Sequence, residues 1–413
     1  MPAPPRVAVV YDLGSAGPAD VLRAARGVCT PVFVYDRADE HPAEVAGLLA
    51  DLGETLDTTG WDLRRTAAEL RRRDTAGIVT FAEYQLRRTA GLAEALGLPY
   101  QDRKTAELLT DKAAQRAAFA AAGVDATRIA RVDAPDDFDA ALAVVGLPAV
   151  LKPAVGGSSR NTSLVTSAGE GGERARRLLA GPEDRLVLEE FLQGEPLGGW
   201  GDYVSVESLT SGGVTVPLAV TGKLPLAAGF RETGMFVPAD LPGDLRAETE
   251  DLTRRALAAL GFRHGLTHTE IKLTADGPRL IEVNGRLGGH VADLVRRAGG
   301  PDLVRLALLA ALGAAGVPDR PRWDRVSFQH FVLAPDGTRV VRRISGAAAV
   351  RALPGVSKVD LADLPRVLPA VATGASSRVG TVYGAVADHA QLRFLSQLVG
   401  ESLRPAAEPE VAR

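Results

Sequence analysis

The segment THTEIKLTADGPRLIEVNGRLGGH, at residues 267–290, constrains the fold more than any other part of this sequence. Polar and apolar residues alternate on both sides of the turn sequence ADG, which predicts two antiparallel strands with one polar and one apolar face. The polar face carries five side chains: His268, Glu270, Lys272, Glu282 and Asn284. A chain with this pattern must build a sheet that buries one side of the hairpin.

The length of the loop decides which side chains face each other across this hairpin. A two-residue loop, Asp276–Gly277, would place Glu282 opposite Ile271 and mix charge into the apolar face. A three-residue loop, Ala275–Gly277 with Gly277 at positive φ, keeps one face wholly apolar. We therefore predict the three-residue loop and three facing pairs: Glu270 with Glu282, His268 with Asn284, and Ile271 with Ile281.

Two carboxylates that face each other destabilise a hairpin unless one is protonated or a cation lies between them. Mg²⁺ typically combines one or two carboxylates with phosphate oxygens and water, and amide oxygens suit it as well. The candidate ligands of Mg²⁺, with Mn²⁺ as the alternative ion, are Glu270, Glu282 and Asn284. The other interpretation is a solvated polar face. Arg286 and Gly288–Gly289 follow directly, and a guanidinium with backbone amides favours oxyanion binding.

Composition limits the class of protein. With 413 residues, 46% hydrophobic and 24% charged, the chain predicts two to four packed units rather than disorder. The net charge of −3 provides no basic field for nucleic acid, and the lone cysteine, Cys29, excludes an internal disulfide or a cysteine zinc cluster. No apolar stretch reaches the length of a membrane span or a signal peptide core, so we predict a cytoplasmic protein without membrane contact.

Lysine is rare, since only six of the 48 basic residues are Lys. In a chain so rich in Arg, a retained Lys favours a position that needs a compact ammonium on a flexible stem. Leftover surface lysines are the other interpretation. The six are Lys104, Lys112, Lys152, Lys223, Lys272 and Lys358.

The order of predicted elements indicates three regions. Residues 1–103 show a strand–helix rhythm typical of a Rossmann-like α/β domain with a parallel sheet. Residues 104–318 contain a helix or helix pair at 105–122, then strands and the hairpin, with a lid subdomain at about 124–190. Residues 319–413 predict a small C-terminal cap with a hairpin around Asp336–Gly337 and a disordered tail at 405–413.

Two further segments carry weaker patterns. In LPAVLKPAVGGSSRNTSLV, residues 147–165, a strand ends with Lys152 and a Gly/Ser turn follows; such a turn either cradles phosphate or simply joins two strands. In VLEEFLQGEP, residues 187–196, two glutamates end a buried strand. The end of this strand is either exposed to solvent or part of an extended linker that binds the edge of an adenine ring.

Taken in order, these segments resemble the ATP-grasp superfamily over residues 105–313. The runs VTGKLPLAAGFRETGMFVPADLP, at 220–242, and THTEIKLT…GPRLIEVNGRLGG are similar to its L-amino acid ligase branch, and the flanking regions extend the resemblance over nearly the whole chain. The resemblance implies an ATP-grasp fold of mixed α/β (α+β) class, with an N-terminal Rossmann-like domain and a small C-terminal cap.

The resemblance also implies roles for particular residues. Two lysines would contact ATP phosphates, Lys112 and Lys152, under a mobile lid that contains Gly157, Ser158 and Ser159. The adenine hinge would be Glu189, Glu190, Phe191 and Leu192, and a ribose-binding carboxylate would be Asp202. Glu270, Glu282 and Asn284 would bind Mg²⁺, while Arg286 would steady an acyl phosphate and act in catalysis with Lys152. The substrate contacts would be Glu232, Met235, His268, Arg286, Gly288 and Gly289; relatives often carry His where Met235 stands.

The function implied is an ATP-dependent carboxylate–amine ligase that forms a peptide or amide bond between amino acids through an acyl phosphate, releasing ADP and phosphate. Its partners would be small-molecule amino acid, carboxylate and amine substrates; the oligomeric state stays open, with homodimers common among related enzymes. The alternatives are another ATP-grasp carboxylase or D-amino acid ligase, and a non-catalytic ATP-binding protein.

Overall fold

The computed structural model describes residues 3–157, 159–181, 183–316, 319–369 and 374–408. Among these residues, no helix combines the length and the apolar character needed to cross a bilayer.

The N-terminal unit contains the parallel sheet that the sequence predicts, and this sheet has four strands in the order β3-β2-β1-β4. Helices α1 and α2 pack on one face of this sheet, and α3 and α4 pack on the other. The strands β1 to β4 are Arg6–Val10, Thr30–Tyr35, Glu54–Asp57 and Thr75–Val79. The helices α1 to α4 are Pro18–Ala25, Glu40–Leu52, Leu63–Arg72 and Leu86–Leu96.

A helix pair leads into a small antiparallel sheet, which we call the lid sheet, with strand order β5-β8-β6-β7. The first helix of the pair ends before Asp111 and the second begins after it. The Asp111 side chain caps the second helix by accepting a hydrogen bond from Ala114 N. The helices are α5 (Arg103–Thr110), α6 (Lys112–Ala121), α7 (Phe138–Val145) and α8 (Ala168–Leu179). The strands are β5 (Ile129–Val132), β6 (Ala149–Pro153), β7 (Ser163–Val165) and β8 (Leu186–Glu190).

The central sheet has eight strands in the order β13-β12-β9-β10-β11-β14-β18-β16. Its first five strands are β9 (Tyr203–Ser211), β10 (Val214–Lys223), β11 (Gly234–Val237), β12 (Gly265–Thr274) and β13 (Gly277–Asn284). The helices of this region are α9 (Gly243–Ala259), α10 (Val291–Arg297) and α11 (Leu303–Ala311). Apolar residues of α9, β12 and β13 form one core below the hairpin.

The C-terminal region continues the same sheet rather than standing apart from it. Strands β14 (Val326–Leu333), β16 (Val356–Leu361) and β18 (Arg378–Val386) extend the sheet, because β14 pairs with both β11 and β18. A separate three-stranded sheet contains β15 (Val340–Ser345), β17 (Arg366–Val367) and β19 (Arg404–Glu408). Helices α12 (Ala347–Arg351) and α13 (His389–Ser402) complete the region.

Two predictions for the C-terminal region are wrong. The turn at Asp336–Gly337 forms, with Gly337 at φ 72°, but it joins β14 to a strand of another sheet because both edges of β14 are already paired. The predicted disordered tail begins with a strand, β19, which pairs with β15; residues 409–413 lie outside the described part of the chain.

The central hairpin confirms the decisive pairs, Glu270 with Glu282 and His268 with Asn284. The predicted loop length is wrong, because Thr274 pairs with Gly277 across a two-residue loop, and Ile271 faces Leu280 instead of Ile281. A register shift at Ile281 restores the polar pairs by inserting one extra residue. Arg116 Nη2 donates a hydrogen bond of 2.8 Å to the Ile281 carbonyl.

Candidate active site

A cavity of about 450 Å³ lies where the lid sheet, the central sheet and the N-terminal unit meet. Its floor is the polar face of the central sheet, where Lys272, Tyr203, Lys223 and Met235 line it from four neighbouring strands. Lys152 lines it from the lid sheet and Gly14 from the loop after β1. The walls therefore come from parts of the chain that are distant in sequence.

Four of the six lysines line this one cavity: Lys112, Lys152, Lys223 and Lys272. The other two, Lys104 and Lys358, are exposed at the surface. Each cavity lysine has a carboxylate within ion-pair distance, with partners Glu282, Glu189, Glu232 and Asp202 in that order. Four ammonium groups, each with a carboxylate at ion-pair distance, thus surround one cavity.

The candidate metal ligands Glu270, Glu282 and Asn284 line the same cavity from two paired strands. Asn284 Nδ2 donates to Glu282 Oε1 at 3.2 Å. Burial raises the pKa of Glu282, but Lys112 and Lys152 outweigh that effect and lower it to about 2. This carboxylate is therefore ionised at neutral pH and available as a hard oxygen donor.

The donor set fits a magnesium ion that also binds phosphate oxygens. Within the described ranges, no cluster of three or more His, Cys, Asp and Glu side chains could hold a metal ion. Two carboxylates and one amide oxygen from β12 and β13 are what this site offers. So few protein ligands are typical of Mg²⁺ bound beside a nucleotide, where phosphate and water supply the remaining ligands.

His268 lies between two glutamates on this face of the sheet. Its Nδ1 contacts Glu207, which is fully buried, and its Nε2 lies 3.2 Å from Glu270 Oε1. Burial lowers the pKa of His268, but Glu207 and Glu270 raise it to about 9. Glu207 Oε2 also accepts from Gly288 N at 3.1 Å, so this amide, which we expected to contribute to oxyanion binding, already has a buried acceptor. Gly289 does line the cavity.

Lys152 projects into the cavity from the end of β6. Its ammonium pairs with Glu189, and the same carboxylate pairs with Arg116. Burial raises the pKa of Glu189, but Arg116 and Lys152 hold it below its usual range. The Glu189 carboxylate therefore positions Lys152, a role that the hinge prediction did not include.

All three remaining hinge residues line the cavity. Glu190 accepts from Arg128 N and Nε at 3.2 Å, while Phe191 and Leu192 line the cavity as apolar walls. Asp202 is paired with Lys272 at 2.6 Å and is not among the residues that line the cavity. The ribose role of Asp202 stays a prediction.

The Gly/Ser turn after β6 closes one side of the cavity. Gly157 and Ser159 line it, whereas Ser158 lies outside the described residues. Lys112 Nζ donates to the Gly156 carbonyl at 2.6 Å. The turn therefore lies against the lysine that faces Glu282.

Arg286 is held by three contacts beside the metal-ligand candidates. Its Nε lies 3.0 Å from Glu83 Oε2, its Nη1 donates to the Leu287 carbonyl at 3.0 Å, and its Nη2 donates to Asn284 Oδ1 at 3.4 Å. A guanidinium fixed in this way can meet developing negative charge without first reorganising.

Glu232 lies at the far end of the cavity. Its Oε1 accepts from Tyr203 Oη at 3.0 Å and lies 3.3 Å from Lys223 Nζ. Burial raises the pKa of Glu232, but Lys223 and Tyr203 lower it below its usual range. Met235 is a buried apolar neighbour on the same wall. An ionised carboxylate here can bind an amino group.

Comparison with known proteins identifies the family. Residues 145–293 match the family described as an ATP-grasp domain. A D-alanine–D-alanine ligase of Aromatoleum aromaticum is 30% identical over 241 residues, which cover 53% of this chain and 71% of that enzyme. The chain belongs to the ATP-grasp superfamily.

Other similarities agree with the predicted branch of this superfamily. An alanine–anticapsin ligase of Bacillus subtilis is 32% identical over 249 residues, which cover 56% of this chain and 52% of that enzyme. The match thus spans about half the length of that relative. The crystal structure of an L-amino acid ligase from Bacillus licheniformis has a TM-score of 0.77 at 20% identity, covering 99% of this chain and 100% of that one. The ATP-grasp fold and the resemblance to the L-amino acid ligase branch are confirmed.

The structure of this ATP-grasp protein adds cavity residues that the sequence did not reveal, among them Glu83, Tyr84, Ile281 and Arg378. The first two follow β4, where no motif marks them. Ile281 enters the cavity because of the register shift in the hairpin. Arg378 comes from the C-terminal region, for which the sequence shows no chemistry.

Proposed function

We propose that this protein is an ATP- and Mg²⁺-dependent carboxylate–amine ligase that joins amino acids. A carboxylate oxygen of the first substrate would take the γ-phosphoryl group of ATP, giving an acyl phosphate and ADP. The amine nitrogen of the second substrate would then attack the carbonyl carbon, with loss of phosphate and of one amine proton. The bond formed is an amide.

One observation carries this proposal. Glu270, Glu282 and Asn284 share one face of two paired strands, with Lys112 and Arg286 beside them in the same cavity. Phosphoryl transfer depends mainly on positioning and on neutralising charge, and this set of side chains supplies both. A bound Mg²⁺ would add charge neutralisation and align the phosphate oxygens.

The other cavity residues have roles consistent with this chemistry. Lys152, held by Glu189, would bind ATP phosphate, and the apolar side chains of Phe191, Leu192 and Ile281 would contact the adenine. Arg286 would stabilise negative charge on the acyl phosphate and on the tetrahedral intermediate. Glu232 would bind the amino group of the first substrate, and the Gly/Ser turn would keep water from the acyl phosphate.

The test is product analysis with the purified full chain. ADP and phosphate should form only when ATP, Mg²⁺, a carboxylate substrate and an amine substrate are all present, and mass spectrometry of pooled amino acid reactions should reveal a condensed product. Chelation of Mg²⁺ should stop ADP formation, and added Mg²⁺ should restore it. Formation of AMP and pyrophosphate would refute the scheme.

The same reactions separate the two alternatives. Turnover restricted to D-amino acids or to bicarbonate would indicate another ATP-grasp reaction. Nucleotide binding without turnover across a broad set of amino acids and amines would indicate a non-catalytic protein.

A further inference from the structure

We propose that Arg378 binds a carboxylate that one substrate carries and the reaction does not consume, so that Arg378 determines substrate specificity. This inference rests on the proposed ligase function, and it names the chemistry of the substrate. The ligand is an anion because the side chain that would meet it is a half-buried guanidinium whose Nε is buried and which has no carboxylate in contact among the described residues.

Arg378 is the first residue of β18 and reaches the cavity from the C-terminal region. Its guanidinium carbon lies 3.4 Å from the centre of the Phe331 ring, and its Nη1 lies 2.8 Å from His290 Nε2. Its Nε is buried and has no hydrogen-bond partner. The guanidinium is therefore fixed in place, with donor capacity that the protein does not use.

Arg378 differs from the other cations of the cavity. Every other lysine and arginine that lines the cavity has a carboxylate within ion-pair distance. Among the described residues, no carboxylate forms such a pair with Arg378. Partial burial of a charge without a counter-charge is unfavourable, and a bound anion would offset that cost.

The neighbours of Arg378 do not supply the missing charge. Burial lowers the pKa of His290 to about 4, with Arg378 adding to the effect, so this imidazole is neutral and accepts the hydrogen bond. Burial also lowers the pKa of Arg378, and Glu232 opposes that shift from outside contact distance. The contacts of Glu232 with Lys223 and Tyr203 are made by its Oε1 atom.

The surroundings favour a carboxylate as the bound anion. A planar guanidinium matches two carboxylate oxygens and discriminates strongly against a neutral amide. Because Glu232 would hold the amino group of the first substrate nearby, the carboxylate can be the acidic side chain of that substrate. The α-carboxylate of the amine substrate is the other source of the same chemistry.

The experiment compares substrates that differ only in charge. For the first position the pairs are L-aspartate with L-asparagine and L-glutamate with L-glutamine; for the second, an amino acid with its amide. Arg378→Gln should reduce the wild-type preference in kcat/KM for the charged member of one pair by about 30-fold or more. Arg378→Lys should retain part of that preference. The pair that responds identifies which substrate carries the carboxylate.

Arg325→Gln is the matched control, because Arg325 is exposed, paired with Asp324 and absent from the cavity lining. It should leave every preference unchanged. An equal effect of Arg378→Gln on charged and neutral members would overturn the proposal, as would a wild-type enzyme with no preference in any pair.

A second measurement does not depend on turnover. With Mg²⁺ and a non-hydrolysable ATP analogue, the charged member should raise Tm more than the neutral member, and Arg378→Gln should abolish that difference. If no substrate combination yields ADP, the ligase proposal fails, while this comparison still tests Arg378. Equal Tm shifts for both members in the wild type would then refute the role of Arg378.

Discussion

The ammonium of Lys112 lies 3.4 Å from Glu282 Oε2 and donates a 2.6 Å hydrogen bond to the carbonyl oxygen of Gly156. One side chain thus joins the strand that carries a candidate metal ligand to the Gly/Ser turn over the cavity. The backbone amide of Lys112 donates to the Ala154 carbonyl at 3.0 Å, which fixes the start of α6 against the same turn. Nucleotide phosphates entering here would meet a lysine that is already positioned.

Glu282→Gln should reduce turnover by at least about 100-fold while leaving the fold intact. The substitution removes one of two carboxylates from the candidate metal site, which weakens binding of the ion, so the ion no longer offsets phosphate repulsion. The measurement is the rate of ADP release at several Mg²⁺ concentrations, with Tm as the check on folding. Glu248→Gln, on the exposed side of α9, is the control. Retained activity would remove Glu282 from the metal site.

Lys152→Arg should impair ADP formation nearly as much as Lys152→Ala. The Lys152 side chain is only 9% exposed and pairs with a carboxylate that Arg116 already contacts, so a larger planar group does not fit. The measurement is kcat and the KM for ATP. Lys104→Arg, at an exposed helix position, should have no effect. Full activity of Lys152→Arg would show that the compact ammonium is not required.

Glu189→Gln should lower the free energy of unfolding by about 2–4 kcal/mol at pH 7, because Arg116 and Lys152 lose their buried counter-charge. The pH dependence follows from the sign of the shift. Since folding lowers the pKa of Glu189, its contribution is complete above the unfolded-state value of about 4.3 and is lost as pH falls through the lower folded-state value.

Urea unfolding between pH 7 and pH 3 measures this effect. The wild type should lose its advantage over Glu189→Gln as the medium becomes acidic, so the two stability curves converge. Glu44→Gln, at an exposed position of α2, should stay close to the wild type throughout. A constant difference between wild type and Glu189→Gln down to pH 3 would contradict the assignment.

Gly14→Ala should destabilise the protein by about 1–3 kcal/mol and weaken ATP turnover. A Cβ at Gly14 would lie 2.3 Å from the Phe81 carbonyl oxygen, so the loop after β1 would move away from β4 and from the cavity that it lines. Gly47 in α2 is the opposite case, because a Cβ added there would have no neighbouring atom within 4 Å. Gly47→Ala should therefore raise the free energy of unfolding by about 0.5–1 kcal/mol. Thermal unfolding of both variants tests the contrast.

The sequence predicts the polar face of the central hairpin correctly because strict alternation fixes which side chains share a face. It does not predict the loop. Both the three-residue loop and the observed two-residue loop with an extra residue at Ile281 place Glu270 opposite Glu282. The choice between them depends on tertiary contacts such as the bond from Arg116 to the Ile281 carbonyl, which no local pattern encodes.

Long-range placement explains the other differences. Glu83, on a short helical turn after β4, reaches Arg286 only because the N-terminal unit packs against the end of the hairpin. The prediction for Gly288 assigned its amide to oxyanion binding, whereas a buried glutamate from β9 accepts its hydrogen bond. In each case the partner lies far away in the chain, beyond the reach of spacing arguments.

The pairing of β11 with β14 has a consequence for engineering. Residues 234–237 and 327–330 form one antiparallel seam, so Arg378 and the metal-ligand strands belong to a single continuous sheet. A chimera that imports a C-terminal segment from a relative would have to preserve the four pairings of this seam. A graft that keeps the seam could exchange the residue at 378 while leaving the strands of the candidate metal ligands undisturbed.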